Sequence, residues 1–257
     1  LGITPRRKPI DDALARLAAS LFVDNAKKGD FVDIGVGLPE EVSRLLFESG
    51  AMHDVTLLNE SGVFGGLPTP GIFFGAAVNP EEIVSSTEAF ERIYKRLDAV
   101  ILGALQVDEH GNVNVSKRGE GAIHYVGPGG FIDLTECAEL IFFCASWGEK
   151  SEILVENGHM KVVKSGIHKF VPEVDEVTFS GPEAVRRGKR VFYITHVGAF
   201  RLTERGMELC CVMPGIDIQK DIIEACPMKI VLPENGEVPV VSDAIASGKN
   251  FRLAFPD

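Results

Sequence analysis

Basic charge is in deficit along this chain, and cysteine, tryptophan and tyrosine are scarce. The 257 residues hold 26 Lys and Arg against 37 Asp and Glu, a formal net charge of −11. A broad nucleic-acid surface needs clustered cations, so that class of partner is not expected. Five cysteines, none in a CxxC pair, fit a reducing compartment. No stretch approaches the roughly 20 uninterrupted apolar residues that a membrane span requires. The N-terminus, Leu1-Gly2-Ile3-Thr4-Pro5-Arg6-Arg7-Lys8, leads into no long apolar run, so no secretory signal is expected. These absences predict a soluble cytoplasmic protein with neither a membrane nor a nucleic acid as partner. Residue 1 is Leu rather than Met, so the chain is expected to be truncated, processed or part of something longer.

Further absences narrow the chemistry. The histidines at positions 53, 110, 124, 159, 168 and 196 show no HExxH or similar ligand spacing, which argues against a metal site. Ser61 lacks the GxSxG elbow of a serine hydrolase. Cys210-Cys211 falls on a predicted strand, where neighbouring side chains point to opposite faces and packing explains both. No internal repeat or low-complexity segment stands out.

What is present is a chain 45% hydrophobic, enough for a sizeable core without metal or disulfide staples. Residues 1–9 are basic with two prolines and read as an arm or linker; residues 10–257 read as one domain. Ile10, Ala13, Leu14, Leu17, Ala18, Leu21 and Phe22 recur at three- and four-residue steps, predicting a helix that stops near Lys27-Lys28-Gly29. Phe31-Val32-Asp33-Ile34-Gly35-Val36-Gly37-Leu38 reads as a buried strand, with Pro39, Glu40 and Glu41 opening the next helix. Val55-Thr56-Leu57-Leu58 is a second strand, stopping at Asn59-Glu60. Helix, strand, helix, strand is the grammar of a parallel sheet with crossovers. Apolar runs at 99–107 and 140–146 and a strand at 190–195 continue it. Hairpins are predicted at 153–163, turning at Asn157-Gly158, and at 200–212, turning near Arg205-Gly206. Asp217 can cap a last helix that Pro227 ends. The fold class expected is α/β: an open, mostly parallel sheet with flanking helices and an antiparallel hairpin attachment.

Three glycine-rich stretches carry the functional signal. Gly35-Val36-Gly37 lies at a strand-to-helix junction, where free amides and a helix dipole favour an anion. Glu40 stands where a dinucleotide fingerprint needs its third glycine, so that match is incomplete. Asn59-Glu60-Ser61-Gly62-Val63-Phe64-Gly65-Gly66-Leu67-Pro68 puts a carboxylate at a strand's carboxyl end, where α/β sheets bind ligands. From position alone Glu60 is equally a solvated loop residue, a helix cap, or the acid of a ribose site. Gly127-Pro128-Gly129-Gly130 can aim backbone amides at developing negative charge, or be a turn before a helix. Lys117-Arg118 and Ile167-His168-Lys169-Phe170 are charged segments that could meet a phosphate.

Together these residues resemble the family I coenzyme A transferases, in their β subunit or the C-terminal half of single-chain members. Glu60 through Pro68 matches the Glu-x-Gly-x-x-Gly-Gly-x-Pro motif of the propionate and short-chain branch. Relative to the succinyl-CoA:3-oxoacid branch, Asn59 replaces a Ser and Ser61 an Asn. Gly35-Val36-Gly37-Leu38-Pro39 is similar to the family's Gly-Ile-Gly-Ile-Pro element, and 127–130 to its Gly-x-Gly-Gly loop. The segments 105–116, 179–181 and 214–217 are also similar to the short-chain branch, so the likeness runs nearly the whole chain.

The resemblance implies a CoA-transferase or NagB/RpiA-like fold and transfer of CoA between a short-chain acyl-CoA and a free acid such as acetate, propionate or acetoacetate, hence short-chain fatty acid or ketone-body metabolism. It implies Glu60 as the nucleophile that carries a glutamyl-CoA thioester with ping-pong kinetics, and no permanent cofactor. It implies Gly130 as an oxyanion donor with Gly129 and Gly127 shaping its loop. Gly35, Gly37, Asn59, Gly62, Gly65 and Gly66 are implied as the CoA or acid pocket. It also implies a partner, an α subunit or N-terminal half, in an α2β2 assembly or a dimer of fused chains. A hydrolase of the same family and a non-catalytic module for a phosphorylated ligand are the alternatives.

Overall fold

Residues 7–256 are described by a computed structural model. Helix α1 (Pro9–Asn25) begins one residue before its first apolar position, with Pro9 in the first turn. Six of the residues that predicted it, Ile10, Ala13, Leu14, Leu17, Ala18 and Phe22, are buried. Nine strands then form one sheet: β1 (Phe31–Ile34), β2 (Thr56–Asn59), β3 (Val63–Phe64), β4 (Glu82–Ile83), β5 (Ala99–Gly103), β6 (Leu140–Cys144), β7 (Arg190–Ile194), β8 (Gly198–Thr203) and β9 (Gly206–Val212). Their order is β9-β8-β7-β6-β5-β1-β2-β3-β4. The five central strands, β7 to β2, run parallel. The pairs at both edges are antiparallel.

The crossovers are α2 (Glu40–Glu48), α3 (Ser86–Lys95), α4 (Phe131–Cys137) and α5 (Gly181–Arg186), and α6 (Asp243–Ser247) lies near the C-terminus. Adjacent residues of a strand face opposite ways, and β6 shows what each face meets. Phe142 packs edge-on against Phe22 of α1 at 6.0 Å, whereas Phe143 meets Phe131 of α4 at 5.8 Å. Thus α1 covers one face and α4 the other, which is why all five residues of β6 are buried and apolar. The tail returns to α1: Phe255 meets Phe22 at 5.9 Å, and Arg16 donates to the carbonyls of Ile245 and Ala246.

The 200–212 hairpin is β8–β9 and extends the main sheet. The 153–163 hairpin pairs Glu152–Glu156 with His159–Lys164. Asn157 and Gly158 both have positive φ, the conformation that a two-residue turn in a right-twisted hairpin demands. The apolar run at 99–107 divides, because β5 ends at Gly103 and Gln106–Asp108 joins a separate small sheet. The helix expected after Asp217 is a π-helical segment over Ile218–Ile223, with Asp217 accepting from the Lys220 N–H at 3.0 Å, and it is not the last, since α6 follows it.

Tyr193, fully buried on β7, donates its hydroxyl to the Gly111 carbonyl at 2.6 Å. Tyr193→Phe leaves that carbonyl without a partner, and its cost is expected to be about 1–3 kcal/mol, read as a lower urea midpoint at constant slope.

Candidate active site

Strand β2 delivers Asn59 and Glu60 to the carboxyl edge of the sheet. The chain reverses there: the Gly62 N–H donates to the Asn59 carbonyl at 3.1 Å, and β3 runs back along β2. Glu60 therefore stands in a tight loop, Glu60-Ser61-Gly62, rather than on a free coil. Its carbonyl accepts from the Ser86 hydroxyl at 2.9 Å. Ser61 reaches the side-chain oxygen of Asn59 and, at 2.5 Å, the Gly75 carbonyl.

Gly62 takes φ 111°, and a Cβ there would lie 2.1 Å from the Val84 carbonyl oxygen. Gly62→Ala is expected to cost at least about 3 kcal/mol, checked by thermal unfolding, because both backbone and neighbour must yield. Gly65 and Gly66 answer the same demand for close approach. Cβ atoms there would lie 2.6 Å from Glu81 Cγ and 2.5 Å from the Val78 carbonyl oxygen. Both line a cavity of about 580 Å³ with Lys28, His53 and Asn79, and Glu60 is not in its wall.

Sheet register gathers the rest. Asp33 of β1 pairs with Leu58 of β2 and Val100 of β5, and Val100 pairs with Ile141 of β6. Residues in register share a face, and Ile141 shares its face with Phe143, the α4 side. Asp33 is therefore on the α4 side, and Glu60, two residues beyond Leu58, follows. Gly130 immediately precedes α4. A Cβ on Gly130 would lie 3.1 Å from Phe90 Cζ and 3.3 Å from Glu60 Cγ, so glycine leaves room for the glutamate. The Gly130 amide donates to no other backbone group among the described residues. Gly129 has φ +58° and shapes the turn, whereas a Cβ on Gly127 would meet open space.

Asp33 is a site residue that the sequence reading passed over. It is 1% exposed, and both its carboxyl oxygens, together with Oε2 of Glu60, are buried with no hydrogen-bond donor supplied to them. Burial pushes the Asp33 carboxyl well above the usual carboxylate range, and the charge and close approach of the Glu60 carboxyl push the same way. The signal was visible: one acid within the otherwise apolar strand Phe31-Val32-Asp33-Ile34.

The first glycine stretch lies at the next strand end and its amides are engaged. Gly35 donates to the Ile101 carbonyl at 2.8 Å, and Gly37 to Glu40 Oε2 at 3.1 Å. Glu40 also accepts from the Gly71 N–H and pairs with Arg7 at 2.5 Å. Its carboxylate thus occupies the anion position before α2 that a dinucleotide phosphate would need. Arg7, at the end of the basic N-terminal segment, also pairs with Glu41 at 2.9 Å; residues 1–6 lie outside the described part.

The loops around Glu60 expose apolar side chains, among them Val36, Phe73, Phe74, Tyr125 and Val126, with Ile72 and Ile123 81% and 89% exposed. Among the described residues no helix is long and apolar enough to cross a membrane, and no cluster of His, Cys, Asp or Glu has a metal-binding arrangement.

The site so built is a glutamate in a tight loop at a strand end, with the glycine that opens a helix against its side chain. Comparison with known proteins makes this specific. The chain is 37% identical over 203 residues to caffeate CoA-transferase of Acetobacterium woodii, covering 77% of this chain and 38% of that one. It is 37% identical over 212 residues to acetate CoA-transferase YdiF of Escherichia coli strain K12, covering 81% and 39%. It superposes on the crystal structure of acyl-CoA transferase YdiF from E. coli O157:H7, a thioester complex with CoA, with a TM-score of 0.82. That match has 29% identity and covers 100% of this chain and 48% of YdiF. The decarboxylase AibA/AibB shares the fold at TM-score 0.65 and 18% identity, over 97% of this chain and 99% of that one. No family model matches. The chain belongs to the family I coenzyme A transferases. It spans about two fifths of the length of the curated relatives it matches.

Proposed function

We propose that this chain is the glutamate-bearing half of an enzyme that moves CoA between an acyl-CoA and a free carboxylate. The observation that carries this reading is Glu60, held in a tight loop with Gly130 against its side chain, in a chain similar to CoA-transferases. A Glu carboxylate is a nucleophile that can itself hold CoA, and it needs no general base. Glu60 attacks the acyl-CoA carbonyl; the C–S bond breaks, giving a mixed anhydride and CoA thiolate. The thiolate attacks the Glu60 carbonyl carbon, releasing the first carboxylate and leaving a glutamyl-CoA thioester. The acceptor acid reverses both steps, so the kinetics are ping-pong.

Each addition creates an oxyanion, and the Gly130 N–H is the donor this chain offers, worth on the order of 3 kcal/mol. Gly129 and Gly127 set its loop. Gly35, Gly37, Asn59, Gly62, Gly65 and Gly66 act as the frame on which Glu60 and its acid pocket are built. Water has to be excluded from the thioester. The 62–76 loop suits that task, tied across itself by Thr69, which bonds the Phe73 and Ala76 carbonyls at 2.6 and 3.1 Å.

The exposed apolar residues about Glu60 fit burial against an α-type half, as a separate subunit or within a fused chain, in an α2β2 assembly or a dimer. The substrates are short-chain acids, acetate first among them given the relative's name, with propionate and acetoacetate in the same class. The cell compartment proposed is the cytoplasm.

The test incubates the chain with its α-type half and acetyl-CoA, without acceptor, and traps the enzyme with borohydride or hydroxylamine. An adduct on the Glu60 peptide is expected. No adduct, with both halves folded and CoA bound, overturns the reading in favour of a non-catalytic binding module. Adduct with release of free acid alone marks a hydrolase.

A further inference from the structure

The Asp33 and Glu60 carboxyls lie on the same side of neighbouring strands, where no donor reaches their buried oxygens among the described residues. Three of their four oxygens are buried and unpartnered. Among the described residues, the charged groups on the helices over this face are exposed or engaged elsewhere. Strand β5 (Ala99–Gly103) carries none. On α3, Glu88 and Glu91 are exposed, and Arg92 pairs with Glu82 and Glu88 at 2.6 and 2.5 Å over the Phe64 ring. On α4, Asp133 accepts from the Tyr94 hydroxyl and Glu136 pairs with Arg187. Two carboxylates this enclosed cannot both be charged, so a proton is shared between them. Asp33 is the group that keeps it, being 1% exposed with both oxygens unpartnered.

We propose that Asp33 is a neutral carboxylic acid at working pH and donates its O–H to the buried Oε2 of Glu60. The protonation rests on the sheet register and the three buried, unpartnered oxygens; its catalytic use rests on Glu60 being the nucleophile. In the resting enzyme the bond fixes the Glu60 rotamer and leaves Oε1 to attack. When thiolate adds to the Glu60 carbonyl carbon, the C–S bond forms and the carbonyl electron pair moves onto the oxygen that Asp33 already faces. Collapse of this adduct expels the acyl carboxylate, and Asp33 keeps its proton throughout. Asp33 and the Gly130 amide thus serve different faces of one carbonyl chemistry.

The pH sign follows. Asp33 holds its proton more tightly folded than unfolded, where its ordinary value is near 3.8. Its contribution to stability is full below that value and is lost as pH rises toward the folded one. Activity falls over the upper part of the same range, because ionised Asp33 is an acceptor beside an acceptor.

The first experiment is infrared difference spectroscopy on the 257-residue chain at about pH 7. A neutral carboxyl C=O stretch is expected that disappears in Asp33→Asn and survives in Glu60→Gln. Its absence overturns the proposal, whatever the chain's activity. The second measures pH profiles of kcat and KM with the α-type half. Asp33→Asn supplies an amide donor that does not titrate, so it is expected to lose the basic limb while kcat falls about tenfold. Asp33→Leu, which has no donor, is expected to lose about a hundredfold in kcat at every pH with little change in KM. Equal losses in both variants, or an unchanged basic limb in Asp33→Asn, overturn the catalytic role. If no pairing of halves ever labels Glu60, the proposed function fails, and the infrared band still decides the protonation.

Discussion

Glu60→Gln is expected to lower kcat for CoA transfer by a factor on the order of 10⁵, with acyl-CoA binding retained. The substitution exchanges a charged oxygen for an amide of the same shape. It leaves untouched the contact that fixes the loop, because Ser86 bonds the backbone carbonyl of residue 60 and not its side chain. Folding is therefore preserved, and thermal stability is expected to hold or rise, since one of two facing carboxyls is gone. What disappears is the nucleophilic carboxylate oxygen that, in the proposed mechanism, forms the anhydride, and without it the thioester cannot form on the same carboxyl carbon. On the proposed mechanism the loss falls on every acid pair alike, because all would pass through one glutamyl thioester. Initial rates with acetyl-CoA and a range of acceptors, beside the trapping experiment, check this. A variant that keeps even a hundredth of the wild-type kcat would mean that the acid attacks acyl-CoA directly and that Glu60 carries no CoA.

Gly130→Val is expected to cost about 10²–10³ in kcat with a change of only a few degrees in melting temperature. The backbone at residue 130 has φ −76°, ψ 0°, which an L side chain tolerates, so the penalty is not conformational. It is steric and local: the first side-chain carbon already comes within 3.1 Å of Phe90 Cζ and 3.3 Å of Glu60 Cγ. A branched side chain forces either the glutamate or the 127–130 loop aside. Either motion separates the Gly130 amide from the carbonyl on which charge develops in the proposed mechanism. Gly130→Ala is expected to show the same direction with a smaller loss, since Phe90 can turn away. Losses in KM rather than kcat would identify the glycine as part of substrate binding instead of oxyanion support.

Much of this architecture is legible in the order of residues. The helical spacing from Ile10 to Phe22 and the wholly apolar run Leu140 to Cys144 name their own elements, because helix and buried strand impose different periods on apolar residues. Asn157-Gly158 announces its hairpin through backbone freedom alone. Strands β3 and β4 are not legible: two residues each, they exist because Gly62, Gly65 and Gly66 let the 77–85 return lie against them. Helix α3 leaves a local sign that was passed over, Ser85 followed three residues later by Glu88, whose N–H the serine accepts at 3.1 Å.

Sequence by itself determined the class of sheet, the place of Glu60 at a strand end, and the glycine motifs that relate the chain to CoA-transferases. These are local properties: periodicity, turn chemistry and residue order along one stretch of chain. Tertiary structure alone decided which glycines do what. It assigned Gly37 to Glu40, Gly62, Gly65 and Gly66 to close backbone packing, and Gly130 to the side of Glu60. It also brought Asp33 to Glu60 across 27 residues of sequence, the difference 60 − 33. No spacing rule could supply that pair, because parallel strands are joined through a crossover whose length says nothing about register. Register is set by which faces are buried, and that is a property of the whole sheet and the two helical layers covering it.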